Sequence, residues 1–118
     1  MKALSVRQPW ASLIASGQKS IEIRTWMTRH RGALAIVAAK GFSREGIAQW
    51  NIREPRGAVV CVVELTNVRP WQRGDELRAL SDGAGCYSWE LRLLYRTQHV
   101  PTLGHLSLFE IDPPPLAA

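Results

Sequence analysis

Gly17-Gln18-Lys19-Ser20-Ile21-Glu22-Ile23-Arg24-Thr25-Trp26 is the densest run of chemically capable side chains in the sequence. A lysine, a serine, a glutamate and an arginine fall between positions 19 and 24. Such a set can bind an anion, move a proton or hold an ion pair. From Ser20 onward the pattern has period two. Ser20, Glu22 and Arg24 share one face of a predicted strand, and Ile21, Ile23 and Thr25 share the other. The β-branched residues favour the extended state. An ordinary surface strand with a Glu/Arg pair has the same pattern, so the surrounding elements decide what this one means.

Ala3-Leu4-Ser5-Val6 predicts a short first strand. Arg7-Gln8-Pro9-Trp10 then turns the chain into a helix over about residues 9–16, where Trp10, Leu13 and Ile14 recur at helical spacing and Gly17 supplies the stop. Trp10 reads as a core anchor. The strand Ser20–Trp26 is followed by a basic loop, Thr28-Arg29-His30-Arg31-Gly32. Ala33–Ala39 is a continuous apolar run of strand length, broken by Lys40-Gly41. Ser43–Trp50 predicts a second helix with Ser43 as N-cap and Gly46 as its weak point. Gly57–Val68 is the strongest predicted strand, long enough to bend around a barrel. Within it Glu64 stands among valines, either at a strand end facing water or directed into a cleft. Asp75–Leu80 predicts a short helix with acids in its first turn. Tyr87–Tyr95 and Leu106–Ile111 are the remaining strands.

About six strands with two or three short helices predict an α+β domain built on a small, mostly antiparallel, barrel-like sheet. Residues 1–112 read as one domain and residues 113–118 as a mobile, polyproline-type tail. No run of about 18 apolar residues exists, so no membrane partner is expected. Met1–Arg7 lacks the long apolar stretch of a signal peptide, and the expected setting is cytoplasmic. Cys61 and Cys86 fit neither a disulfide framework nor a metal pair, and Cys61 reads as a small buried hydrophobe. His30, His99 and His105 lie at no metal-ligand spacing and read as surface residues. Neither a metal nor a cofactor is expected.

Charge separates the two halves. Residues 1–56 hold ten Lys/Arg against three Asp/Glu, whereas residues 57–118 hold five against seven. Twelve of the fifteen basic residues are arginine, the side chain suited to bidentate phosphate contact and to stacking on bases. A basic half-domain interleaved with tryptophans is the footprint of a nucleic-acid binder. The candidate cationic face carries Arg7, Lys19, Arg24, Arg29 and Arg31. Trp26 is either a stacking residue or a barrel-packing tryptophan.

Leu4-Ser5-Val6-Arg7-Gln8-Pro9-Trp10 followed by Gly17-Gln18-Lys19-Ser20-Ile21-Glu22-Ile23-Arg24 resembles the ASCH domain, whose hallmark is G-x-K-x-x-E-x-R. The likeness extends over nearly the whole chain through the apolar run, the Val-rich strand with Glu64, and Tyr87-Ser88-Trp89. The family is similar to PUA domains, a β-barrel fold used for RNA recognition. The resemblance implies a cleft lined by Lys19, Glu22, Arg24 and Glu64, holding RNA or a modified nucleotide, with Ser20 close by. It also implies an alternative. One branch of the family removes the acyl group from N4-acylated cytidines with the motif lysine, a threonine nucleophile and a later carboxylate. By position, Lys19 and Glu64 are then the catalytic candidates, while Glu22 replaces the nucleophile. Another member behaves as a ribonuclease, needing a general base and a phosphate-stabilising cation but no metal. The expected ligand is RNA, another single-stranded nucleic acid or a modified nucleoside. A protein-interaction module with an acidic partner is a third reading.

Overall fold

In the computed structural model, which describes all 118 residues, the chain runs β1 (Lys2–Gln8), α1 (Trp10–Ala15), β2 (Ile21–Arg24), β3 (Gly32–Phe42), α2 (Arg44–Trp50), β4 (Ala58–Pro70), α3 (Glu76–Ala79), β5 (Tyr87–Arg96) and β6 (Phe109–Glu110). The strands form one six-stranded sheet in the order β2-β5-β4-β3-β1-β6. Only β1 and β3 pair in parallel, and the other neighbours are antiparallel. The α+β class stands as expected.

The expected barrel, however, is an open sheet. Its edges are β2 on one side and β1 with β6 on the other. The two-residue β6 covers only Lys2 and Ala3, so the outer edge of β1 beyond them has no strand partner. No ladder closes the gap to β2. Instead Nη2 of Arg24 donates to the Ser5 carbonyl at 2.5 Å. A guanidinium placed between two strands holds their backbones farther apart than the roughly 4.8 Å that a ladder requires. The sheet therefore curls towards closure and stops one side chain short of it.

Both faces of the central strands are covered, which explains why β3 and β4 read as near-continuous apolar runs. One face packs Leu4, Val6, Leu34, Ile36, Val63, Leu65, Trp89 and Leu91 beneath Ala11 and Ile14 of α1. The other packs Ala3, Ala35, Val37, Val59 and Val62 beneath Met1, Tyr95, Val100, Phe109 and Ile111. Cys61 is fully buried on the first face, and burial pushes its thiol up to about 12.

Gly17 ends α1 at φ +84°, as its position after the apolar helix predicts. The Ser43 hydroxyl accepts from the Gly46 amide at 3.1 Å and caps α2. Gly46 is required rather than weak. A Cβ there would lie 2.5 Å from Cδ of Pro9 and 2.9 Å from Cζ2 of Trp10. The proline-rich end returns to the strand end at residues 96–98. Gln98 donates its amide to the Pro115 carbonyl at 3.0 Å and Ala117 donates to Arg96 at 3.0 Å, with a bridge between Thr97 and Leu116. No helix is long and apolar enough to cross a membrane.

Candidate functional site

Lys19 leaves α1 on a turn that its own amide closes by donating to the Leu13 carbonyl at 3.0 Å. Its side chain then turns inward and the residue is only 2% exposed. The ammonium donates to the Ala79 carbonyl of α3 at 2.5 Å and sits 3.6 Å from Oε1 of Glu22. It also lies 4.9 Å from the centroid of the Trp10 ring. Burial lowers its pKa from the ordinary lysine value; the Glu22 carboxylate opposes the shift and Arg24 adds to it. The other carboxylate oxygen of Glu22, Oε2, lies 3.2 Å from Nη2 of Arg24. Arg24 in turn reaches Ser5 across the gap. The hallmark charges thus form a chain, Lys19–Glu22–Arg24, running from α3 through β2 to β1.

The α3 end of that chain is anchored separately. Asp75, at the start of α3, accepts from Nη1 and Nη2 of Arg69 at 2.7 and 2.9 Å, from the Gln72 amide at 3.0 Å and from the Ser88 hydroxyl at 2.8 Å. Hydrogen bonds from Arg69, with those from Gln72 and Ser88, hold its carboxyl well below the usual carboxylate range. Arg69 and Arg78 share Glu90 at 3.2 and 2.9 Å. These bonds fix α3, and through Ala79 they fix where the Lys19 ammonium can sit.

Where the sheet fails to close, a cleft of about 670 Å³ opens. Glu22, Arg24 and Trp26 line it from the β2 side, and Ser5, Arg7 and Trp10 from the β1–α1 side. Ile23 and Thr25, with Ala39, Lys40 and Gly41 of β3 and the segment Gly104-His105-Leu106, complete it. That segment is held over the seam by Ser5, whose hydroxyl accepts from the His105 amide at 3.1 Å. Neither Arg7 nor Lys40 is in an ion pair. Trp26 both lines the cleft and packs edge-on against Trp89, with centroids 4.9 Å apart at 85°.

Of the residues singled out from sequence, Arg7, Glu22, Arg24 and Trp26 meet in the cleft, with Lys19 buried directly behind Glu22. Four others lie elsewhere. Ser20 precedes β2, so the alternation does not extend to it; its hydroxyl accepts from Nε of Arg78 at 3.0 Å. Arg29 is exposed in the loop after β2, outside the cleft lining. Arg31 is exposed too and donates to its own loop carbonyls, Thr28 and His30, at 2.8 and 2.9 Å. Glu64 is the substantive correction. In β4 it follows the alternation Val62, Glu64 on one face and Val63, Leu65 on the other, opposite to the face that Glu22 shares with Trp89. There it pairs with Arg92 in β5. The carboxylate expected beside Lys19 is therefore across the sheet from it.

Lys40, a strand breaker by sequence, and Trp10, a core anchor by sequence, also line the cleft. His105 is a third, read simply as surface. A lysine ending an apolar strand whose other end leads back to the hallmark was the available signal for Lys40. His105 reaches the cleft through the long-range bond to Ser5, with its ring packed 4.6 Å from that of Phe109.

An ASCH domain family model matches residues 4–102. Human and mouse activating signal cointegrator 1 are 60% and 57% identical to the chain over 35 residues, which is 30% of this chain and 6% of either relative. The chain thus spans only a small part of those relatives' length. Among solved structures, the ASCH protein from Zymomonas mobilis aligns at TM-score 0.67 with 17% identity, covering 94% of this chain and 87% of that one. A point mutant of it aligns at TM-score 0.69 with 14% identity, covering 94% and 89%. At that identity the likeness concerns the fold.

Proposed function

The chain belongs to the ASCH domain family, and from that premise we propose that it binds single-stranded nucleic acid, RNA in the first instance, with one nucleotide, ordinary or modified, seated in the seam cleft. The observation that carries this reading is the cleft's composition: two cations without carboxylate partners, Arg7 and Lys40, facing an indole, Trp26, across an open groove. Phosphates are drawn by such cations, and bases stack on indole faces whatever their sequence. Glu22 refines the picture. Its carboxylate lines the cleft while Lys19 and Arg24 hold it in place, so it is a fixed acceptor. A fixed carboxylate suits the exocyclic amine of a base such as cytosine and repels phosphate. The base then belongs near Glu22 and Trp26, and the phosphate near Arg7 and Lys40.

The hydrolase alternative needs Lys19 and a second carboxylate together. Glu64 supplies none at the cleft, and Lys19 is spent on Ala79 and Glu22. Binding is the reading the geometry favours.

The test is a fluorescence-anisotropy titration of a labelled single-stranded RNA between about 50 and about 200 mM salt, a range over which phosphate contacts weaken markedly. Affinity should fall with salt at a log–log slope of about −0.7 per phosphate neutralised. Arg7→Ala and Lys40→Ala should each weaken binding and make that slope shallower. Affinity absent at low salt, or indifferent to salt, contradicts the reading.

A further inference from the structure

The basic surface does not stop at the cleft. Beyond its Lys40–Gly41 rim, β3 ends at Phe42, which is 38% exposed. The irregular loop 51–57 returns beside it. The Arg53 guanidinium lies 5.3 Å from the Phe42 ring centroid and that of Arg56 lies 5.8 Å away. Nη1 of Arg56 also donates to the Lys40 carbonyl at 3.3 Å, and the Gly57 amide donates to Ala38 at 2.7 Å. The loop is thus tied to the same strand end that lines the cleft.

A buried side chain fixes that loop from beneath. Gln8 is 0% exposed. Its Nε2 donates to the Pro55 carbonyl at 2.7 Å and to the Ser12 hydroxyl at 2.8 Å, while its Oε1 accepts from the Ser12 amide at 3.0 Å. An amide with this many bonds is expensive to misplace, so the loop carrying Arg53 and Arg56 is set relative to α1 and β1. The adjacent Arg7 lies in the cleft, with its Nε 3.9 Å from where a Cβ on Gly41 would sit. One tripeptide, Arg7-Gln8-Pro9, therefore supplies a cleft cation, the clamp on the arginine loop, and the surface against which Gly46 of α2 packs.

Both guanidiniums lie over the Phe42 ring, and a guanidinium plane backed by an aromatic ring is a ledge on which a further base can stack, with the charges available to phosphate. The one acid engaged there is Glu54, which accepts from Nε and Nη2 of Arg56 at 3.2 and 3.0 Å. Both partners are exposed, so that pair exchanges readily for a phosphate contact.

We propose that the Phe42–Arg53–Arg56 ledge is a second nucleotide subsite, joined to the cleft through Lys40. The ligand is then a single-stranded oligonucleotide of several residues rather than an isolated nucleoside. This rests on the reading of the cleft and is tested so that the two can fail separately. Binding of cytidine monophosphate and of labelled octacytidylate is measured on the wild type, Phe42→Ala, Phe42→Trp, Arg53→Ala/Arg56→Ala and Trp26→Ala, with a polyglutamate peptide as a third probe. The octamer should bind at least about tenfold tighter than the mononucleotide, as added stacking and phosphate contacts require. Phe42→Ala and the double arginine variant should each weaken the octamer by about tenfold and leave the mononucleotide unchanged, with Phe42→Trp restoring octamer binding. Trp26→Ala should weaken both. If Phe42→Ala binds the octamer like the wild type while Trp26→Ala does not, the ledge is overturned and the cleft stands. If polyglutamate matches the octamer and depends on the arginines but not on Phe42, the ledge is a general cationic surface and the proposal also fails. If neither nucleotide probe binds the wild type, both readings fall.

Discussion

At the scale of single residues, two strand carboxylates, Glu22 and Glu64, differ because of the face each occupies. Glu22 shares its face with Trp89 and is held between Lys19 and Arg24; Glu64 lies on the other face with Arg92. Glu64→Gln should therefore leave nucleic-acid affinity within experimental error and change stability by less than about 1 kcal/mol, the range of an exposed pair. Denaturant unfolding beside a binding isotherm checks both. A loss of binding in that variant would put Glu64 back in the site. Lys19 makes a second residue-level claim. Its folded pKa lies below the ordinary 10.5, so charging it costs the folded state, and the cost is relieved as pH rises through the folded value towards about 10.5. Lys19→Met removes that dependence. The wild type should gain stability relative to Lys19→Met as pH rises through the alkaline range, read from chemical-denaturation midpoints at several pH values. The hallmark charges were legible in the sequence because their spacing is local. The placement of Glu64 was not, because its face depends on pairing with Ala33 and Arg92, residues far away in sequence.

At the scale of elements, the helices act as supports whose anchors can be removed one at a time. Gly46→Ala puts a methyl group into Pro9 and Trp10. It should destabilise by about 1–3 kcal/mol, as overpacking does, although alanine is the better helix former. A gain in stability on thermal unfolding would show that α2 does not press on the Arg7-Gln8-Pro9-Trp10 turn. For α3, the Asp75 carboxyl is held below its unfolded value by Arg69 above all. That stability is present above about pH 4 and is lost as pH falls from there towards the lower folded value. Asp75→Asn should flatten the acid limb of the stability curve and cost about 2–3 kcal/mol at neutral pH, less than a fully buried broken pair because Arg69 keeps Glu90. Caps and stops such as Ser43 and Gly17 could be read from the chain alone. The requirement for Gly46 could not, since it arises from a contact between α1 and α2 and not from helix propensity.

At the scale of the molecule, the function proposed here depends on the sheet being open. Strand content and order of hydrophobic runs indicate a curled sheet, but whether its edges meet depends on which group fills the seam, and that is Arg24. The same non-local bonds pin the segment 104–106 over Ser5 and the proline-rich end against Arg96 and Gln98, neither visible in composition. In the proposed function, nucleic acid enters this seam. Backbone amide chemical-shift mapping by NMR, titrating single-stranded RNA into the labelled protein, tests it most directly. Shifts should be concentrated at Ser5, Arg7, Arg24, Trp26, Lys40, Gly41 and His105, with Glu64 and Arg92 unmoved. Shifts centred on Glu64 and Arg92, or none at saturating RNA and low salt, would contradict it.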